Sequence, residues 1–247
     1  MKVLITGASS GIGLDMAKYL SSFGYDLYLV SRNKKKLEEI FSDIKTKVNI
    51  IEMDLTNTDN CFKLYEKLKD EKIDIVINNA GFGDYGKFSD TDIEKELDMI
   101  DLNIRAYHIL TKLFLSDFVK NDYGRILNVA SFAGFVPGPY MATYYATKSY
   151  VLNLSLAISE ELKKEKSKVK ISVFCPGPVN TNFNNVANVK FNVMSISSEY
   201  AARYAIDNMF KDKVLIIPSN MKLMQKLVKI SPYNLVLDII SKSQQKK

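Results

Sequence analysis

Thr6-Gly7-Ala8-Ser9-Ser10-Gly11-Ile12-Gly13 decides how this chain folds. The stretch directly follows an apolar run at residues 3–5. It opens residues 12–23, where apolar side chains recur at helical spacing. Glycine suits a sharp reversal between strand and helix, a close approach of backbone to phosphate, and tight packing of helix on strand. Amides at a helix start hold an anion through their partial positive charge. The spacing is G-x-x-x-G-x-G rather than G-x-G-x-x-G, and turns are glycine-rich anyway. The placement between a first strand and a first helix is what points to a dinucleotide pyrophosphate.

Working outward, short apolar runs recur at residues 27–30, 48–53, 73–77, 126–129, 171–174 and 214–217. They show no polar alternation, as expected of parallel strands covered on both faces. Between them, windows at 12–23, 33–44, 58–70, 92–120, 142–165 and 199–210 carry apolar residues at helical spacing. Seven strands alternating with six helices predict an α/β, doubly wound, Rossmann-type domain over residues 1–218. Residues 219–247 read as a basic amphipathic helical extension of it. Ser231-Pro232 interrupts that extension and resembles an N-cap followed by proline at the first helical position.

The end of the second strand reports on the cofactor's ribose. A carboxylate there would bind the 2′-hydroxyl of NAD and repel a 2′-phosphate. Asp26 begins that strand instead of ending it, and the end reads Ser31-Arg32-Asn33 followed by three lysines. A neutral Ser beside a fork-shaped guanidinium suits a phosphate monoester, so NADP is expected ahead of NAD. A solvated helix start is the plainer reading of the same residues.

Composition removes other classes. The chain of 247 residues is 47% hydrophobic and 25% charged, which fits a globular protein and excludes wholesale disorder. One His and two isolated Cys (Cys61 and Cys175) leave no zinc cluster or disulfide framework, and no metal is expected. The net charge of +6 lies wholly in residues 211–247, which hold eight Lys, two Asp and no Arg. Without a basic groove or Arg contacts, nucleic acid is not expected as a partner. No signal-like or membrane-spanning apolar stretch is evident, which predicts a cytoplasmic location.

Tyr144 and Lys148 are four apart in a helical window and share one face. An adjacent ammonium would stabilise a phenolate and lower the phenol's pKa from its usual value near ~10. Tyr145 stands three before Lys148 and is also a neighbour on the helix, so geometry leaves both tyrosines open.

Taken together, the chain resembles the classical branch of the short-chain dehydrogenase/reductase family from Lys2 to about Pro218. The resemblance rests on the glycine loop, Asp54 in Met53-Asp54-Leu55, Asn78-Asn79-Ala80-Gly81, Asn103, Ser131, Tyr144-x-x-x-Lys148, and Pro176-Gly177 followed by Thr181. It implies hydride transfer between nicotinamide C4 and a ketone or secondary alcohol. The interval from Ser131 to Tyr144 matches the family and favours Tyr144 as acid-base group. By the same resemblance, Ser131 would bind the carbonyl oxygen, Lys148 the ribose hydroxyls, and Asn103 a water chain that resupplies the proton. The implied cofactor contacts are Gly7, Ser9, Ser10, Gly11, Ile12, Gly13, Ser31, Arg32, Asp54, Leu55, Asn79, Ala80, Gly81, Tyr144, Lys148, Pro176, Gly177, Val179 and Thr181. Asp54 could equally hold a turn, and Asn78 could be structural. His108 and Cys175 read as packing residues. A sensor or scaffold that binds the cofactor without turnover is the rival from another class.

Residues 182–197 have little regular pattern, and in the family this region covers the substrate. Phe183, Val186, Val189, Phe191, Val193 and Met194 would line an apolar pocket, or pack inward as a helix. In the extension, Lys222, Lys226 and Lys229 line one helical face, with Met221, Met224, Leu227 and Val228 on another. Such a surface could lie on an anionic membrane, pack on a second subunit of a homodimer or homotetramer, or cover the chain's own substrate pocket. Packing against protein is the expectation.

Overall fold

Alternating side chains of a strand point to opposite faces, so an apolar run that does not alternate needs cover on both. A computed structural model describes the chain except residues 43, 182, 184–186, 188–194, 246 and 247, with only the backbone of Gln245. Its strands are β1 (Lys2–Thr6), β2 (Asp26–Ser31), β3 (Val48–Glu52), β4 (Ile75–Asn78), β5 (Arg125–Val129), β6 (Lys170–Phe174), β7 (Val179–Asn180), β8 (Ile196–Ser197) and β9 (Leu215–Ile216). Seven form one parallel sheet in the order β3-β2-β1-β4-β5-β6-β9. The expected doubly wound sheet is therefore present.

Nine helices are described: α1 (Gly11–Ser22), α2 (Lys34–Phe41), α3 (Thr58–Leu68), α4 (Ile93–Ile100), α5 (Tyr107–Asn121), α6 (Ala142–Lys164), α7 (Ser198–Phe210), α8 (Ser219–Ile230) and α9 (Tyr233–Gln245). On one face of the sheet Ile5, Leu29 and Phe174 meet Met16 and Leu20 of α1 and Ile206 of α7. On the other, Leu4, Val30 and Ile126 meet Leu64 of α3, Phe114 of α5 and Leu162 of α6. Strand order reverses between β1 and β4, so the carboxyl ends of the strands open a crevice there.

Four local readings need correction. The window at 92–120 is not one α-helix: Asp101–Ala106, between α4 and α5, is π-helical. A two-stranded parallel sheet, β7 with β8, flanks the segment read as irregular. Ser231 does not cap α9, because its hydroxyl donates back to the Leu227 carbonyl and closes α8. His108 is not a packing residue; it is exposed and shares a 2.7 Å hydrogen bond with Tyr150, while its neighbour Tyr107 is the buried one.

The extension also differs in detail. Met221 and Gln225 of α8 are buried and Val228 is half-buried, whereas Leu223, Met224, Leu227 and Ile230 are exposed. The single apolar face expected there is two faces, one inward and one outward. Among the described residues no helix is long and apolar enough to cross a membrane, and no cluster of His, Cys, Asp or Glu could hold a metal.

Candidate active site

The glycine loop turns where β1 ends. Gly7 has φ +68°, and a Cβ on it would lie 2.7 Å from Ala80 Cα. A Cβ on Gly13 would lie 2.5 Å from the Gly7 carbonyl oxygen. The loop is clamped to the end of β4: Asn79 Nδ2 donates to the Thr6 and Gly7 carbonyls, each at 3.1 Å. Thr6 Oγ1 in turn accepts from the amides of Asn79 and Ala80 at 3.0 and 3.1 Å.

Ser10 precedes α1 in extended conformation and makes no side-chain cap. The first-turn amides at Gly11, Ile12 and Gly13 thus start a helix whose N-terminus is free to face an anion. Ser9 is half-buried beside them, and Thr181 lies across the loop, its Cγ2 2.9 Å from where a Gly11 Cβ would stand. Such a cradle, which side chains would fill, fits a dinucleotide.

At the end of β2, Ser31 is buried and its hydroxyl accepts from the Asn33 amide at 3.1 Å. Asn33 caps α2 by accepting from Lys36. Arg32 is mostly exposed and reaches to 3.9 Å from Asp54 Oδ2. Arg32, Asn33, Lys34 and Lys35 border a shallow depression with Glu38 and Glu52. The other oxygen of Asp54 accepts from the amide and hydroxyl of Thr56, so the turn role is the one the structure displays. Leu55 is a core side chain, which leaves only its backbone for a ligand.

Ser131, Tyr144 and Lys148 converge beyond β5. Ser131 starts a 3-10 turn, its hydroxyl accepting from the Ala133 amide at 3.1 Å. Lys148 Nζ is enclosed. It donates to the Val129 carbonyl at 3.0 Å and lies 5.4 Å from the Tyr107 ring centroid and 5.9 Å from that of Tyr144. Burial lowers the Lys148 pKa to about 8. Burial also drives the Tyr144 phenol well above the usual tyrosine range, opposed by hydrogen bonding to Ser131. The net shift is upward, opposite to the depression expected from the neighbouring ammonium, and desolvation is its main cause.

Gly81 brings the loop after β4 to these groups: a Cβ on it would stand 2.8 Å from Asn103 Oδ1 and 3.4 Å from Lys148 Nζ. Asn103 sits in the π-helical segment and is fully buried. Its Nδ2 donates to the Phe82 carbonyl at 2.8 Å and to Thr147 Oγ1 at 3.1 Å, while its Oδ1 accepts from the Phe82 amide at 3.1 Å. Pro176 accepts from the Phe132 amide at 2.7 Å, Gly177 abuts Met221, and Val179 lies in β7. Asn78 is structural: its Nδ2 donates to Thr111 and Asn128 inside the core.

The family model for short-chain dehydrogenases matches residues 1–190. The chain belongs to that family. An oxidoreductase of *Staphylococcus epidermidis*, described only as uncharacterized, is 36% identical over 182 residues, 72% of this chain and 77% of that one. Estradiol 17-beta-dehydrogenase 11 of *Homo sapiens* is 30% identical over 239 residues, covering 93% of this chain and 79% of that protein. Among solved structures, a short-chain dehydrogenase from *Sphingobium yanoikuyae* in complex with NADPH superposes with a TM-score of 0.83 at 28% identity, over 94% of this chain and 96% of that one.

For this short-chain dehydrogenase, sequence reading missed Phe82, Tyr85 and Met141, which pack on Tyr144 together with Tyr145 and Phe183. The Phe183 ring lies 5.2 Å from the Tyr144 ring. Of the lid residues, Phe183 is described; Val186, Val189, Phe191, Val193 and Met194 lie outside the described residues. Thr147, which holds Asn103, offered no signal beyond its helical position.

Proposed function

We propose that this short-chain dehydrogenase is an NADP(H)-dependent carbonyl reductase acting on uncharged, apolar ketones, with the reverse alcohol oxidation also open to it. One observation carries the reading: Tyr144, Ser131 and Lys148 meet at the sheet edge where the glycine loop leaves the N-terminus of α1 uncapped. Gly7, Gly11, Gly13, Asn79, Ala80 and Gly81 shape the cradle for the dinucleotide. Ser31 and Arg32 would meet the 2′-phosphate, Asp54 the adenine, and Lys148 the ribose hydroxyls. Thr181 and Val179 would meet the carboxamide. A bound nicotinamide supplies the hydride.

The chain's own residues manage the proton. Burial keeps Tyr144 protonated at neutral pH, so it can donate to the carbonyl oxygen as charge develops there. Ser131 hydrogen-bonds that same oxygen. The Lys148 ammonium beside the Tyr144 ring stabilises the phenolate left behind. Asn103 spends its side chain on Phe82 and Thr147, so it acts as a positioning residue for the loop carrying Gly81.

The test is NADPH consumption by purified protein over a panel of apolar ketones and charged keto acids. Ketone-dependent consumption is expected, with higher kcat/KM for the apolar members. No consumption with any carbonyl would overturn the reading. If Arg32 binds the 2′-phosphate, NADPH binds more tightly than NADH, and Arg32→Asp removes much of that preference. A charge-assisted hydrogen bond contributes ~1.5–3 kcal/mol, roughly ten- to more than hundredfold. Equal affinity for the two cofactors in the unmutated protein would refute that part.

A further inference from the structure

The end of α9 is tied to the residues beside Tyr144. Gln244 is 2% exposed. Its Nε2 donates to Tyr145 Oη at 2.7 Å, and its backbone carbonyl accepts from Tyr85 Oη at 2.9 Å. Tyr145 meets the Tyr144 ring edge-on at 6.1 Å, and Tyr85 stacks on Tyr140 at 6.0 Å. Val236 is buried on the same inward face of α9, two helical turns earlier, with Ile240 half-buried between them.

A buried amide is costly unless hydrogen-bonded. Gln244 is buried and hydrogen-bonded at one place, next to the acid-base tyrosine. The outward stripe of Leu223, Leu227 and Ile230 plays no part in these contacts; the inner face of α9 makes them. The inner face of α9 is thus spent on the chain itself, beside Tyr85 and Tyr145.

We infer that α9 forms the distal wall of the substrate pocket, with Gln244 and Tyr145 setting how large a ketone fits in front of Tyr144. The inference rests on the carbonyl-reductase reading and deepens it. The wall is made of aromatic rings and one neutral amide, so it favours an uncharged substrate and limits the size of its group farthest from the carbonyl. Gln244 is here a specificity-determining residue.

Two variants separate space from hydrogen bonding, with a diaryl ketone and acetophenone as probes. Gln244→Ala opens the wall and should raise kcat/KM for the diaryl ketone relative to acetophenone by about tenfold, the scale on which pockets discriminate size. Gln244→Met refills the space and should keep the unmutated ratio. NADPH affinity should not move in either. An unchanged ratio in Gln244→Ala, or an equal shift in both variants, overturns the wall.

Hydrogen exchange reads the wall without turnover. With NADPH present, the diaryl ketone should slow exchange in residues 233–244 and 82–86 together. No protection at 233–244 overturns the inference even if ketones are reduced. Protection there without reduction of any ketone supports the wall while removing the reductase reading.

Discussion

An ammonium enclosed by Tyr107, Tyr144 and the β5 backbone carries its charge against desolvation, and this makes stability depend on pH. The Lys148 pKa falls from 10.5 to about 8 on folding. Between those values the unfolded chain binds more protons than the folded one, so this group adds stability as pH rises from about 8 to 10.5. Below pH 8 the burial penalty is fully present. Lys148→Met should therefore stabilise the fold at pH 7 by ~1–3 kcal/mol, an advantage that fades towards pH 10.5. Tyr107 Oη still donates to the Val129 carbonyl, so the variant leaves that oxygen paired. Denaturant midpoints at the two pH values check this, and a variant less stable at pH 7 would refute it. Turnover should be lost in the same protein. The two tyrosines divide differently. Tyr144→Phe should lower kcat by ~10²–10⁴-fold with NADPH binding intact, whereas Tyr145→Phe, which loses only its bond to Gln244, should cost far less. The reverse ranking would move the acid-base role to Tyr145.

At the scale of elements, the π-helical segment between α4 and α5 decides where Asn103 points. A π-turn inserts a residue into the helical ladder and often marks a functional position. Here it delivers a buried amide to both backbone groups of Phe82. Asn103→Ala leaves the Phe82 N–H and C=O unpaired, at ~1–3 kcal/mol each. Thr147→Val removes one partner of Asn103 and should cost less, and equal midpoint losses would contradict this account. The apolar spacing through residues 92–120 continues across the π segment without a break, so periodicity could not reveal it. The glycine loop and the Tyr144–Lys148 pair could be read because each is a fixed spacing on or beside one element, whereas Ser131 was read only through the resemblance to the family. Asn79's clamp on the glycine loop, the pairing of β7 with β8 and the Gln244–Tyr145 bond were not, since each joins residues far apart in sequence through tertiary packing alone.

Over the whole molecule, one sheet order places the glycine loop, Asn79 and Ser131 at the carboxyl ends of adjacent strands β1, β4 and β5. Seven non-alternating apolar runs were enough to foresee that sheet, because burial on both faces leaves few other arrangements. The extension packs at the carboxyl end of β6, the same end of the sheet. Met221 of α8 packs with Val151, Val173, Cys175 and Ile217, and its Sδ lies 2.7 Å from where a Cβ on Gly177 would stand. The loop carrying Pro176 and Gly177 is therefore held partly by α8, while the glycine loop and Asn79 are held without it. Truncation after Ser219 should preserve NADPH binding through the α1 end of the site but lower both stability and turnover. Met221→Ala isolates the packing contribution and should cost ~2–5 kcal/mol, the usual range for emptying a buried methionine site. Denaturant midpoint, NADPH affinity and kcat/KM measured on both proteins decide the matter. If the truncated chain matches the full one in stability and turnover, α8 and α9 are dispensable, and neither the loop support nor the pocket wall stands.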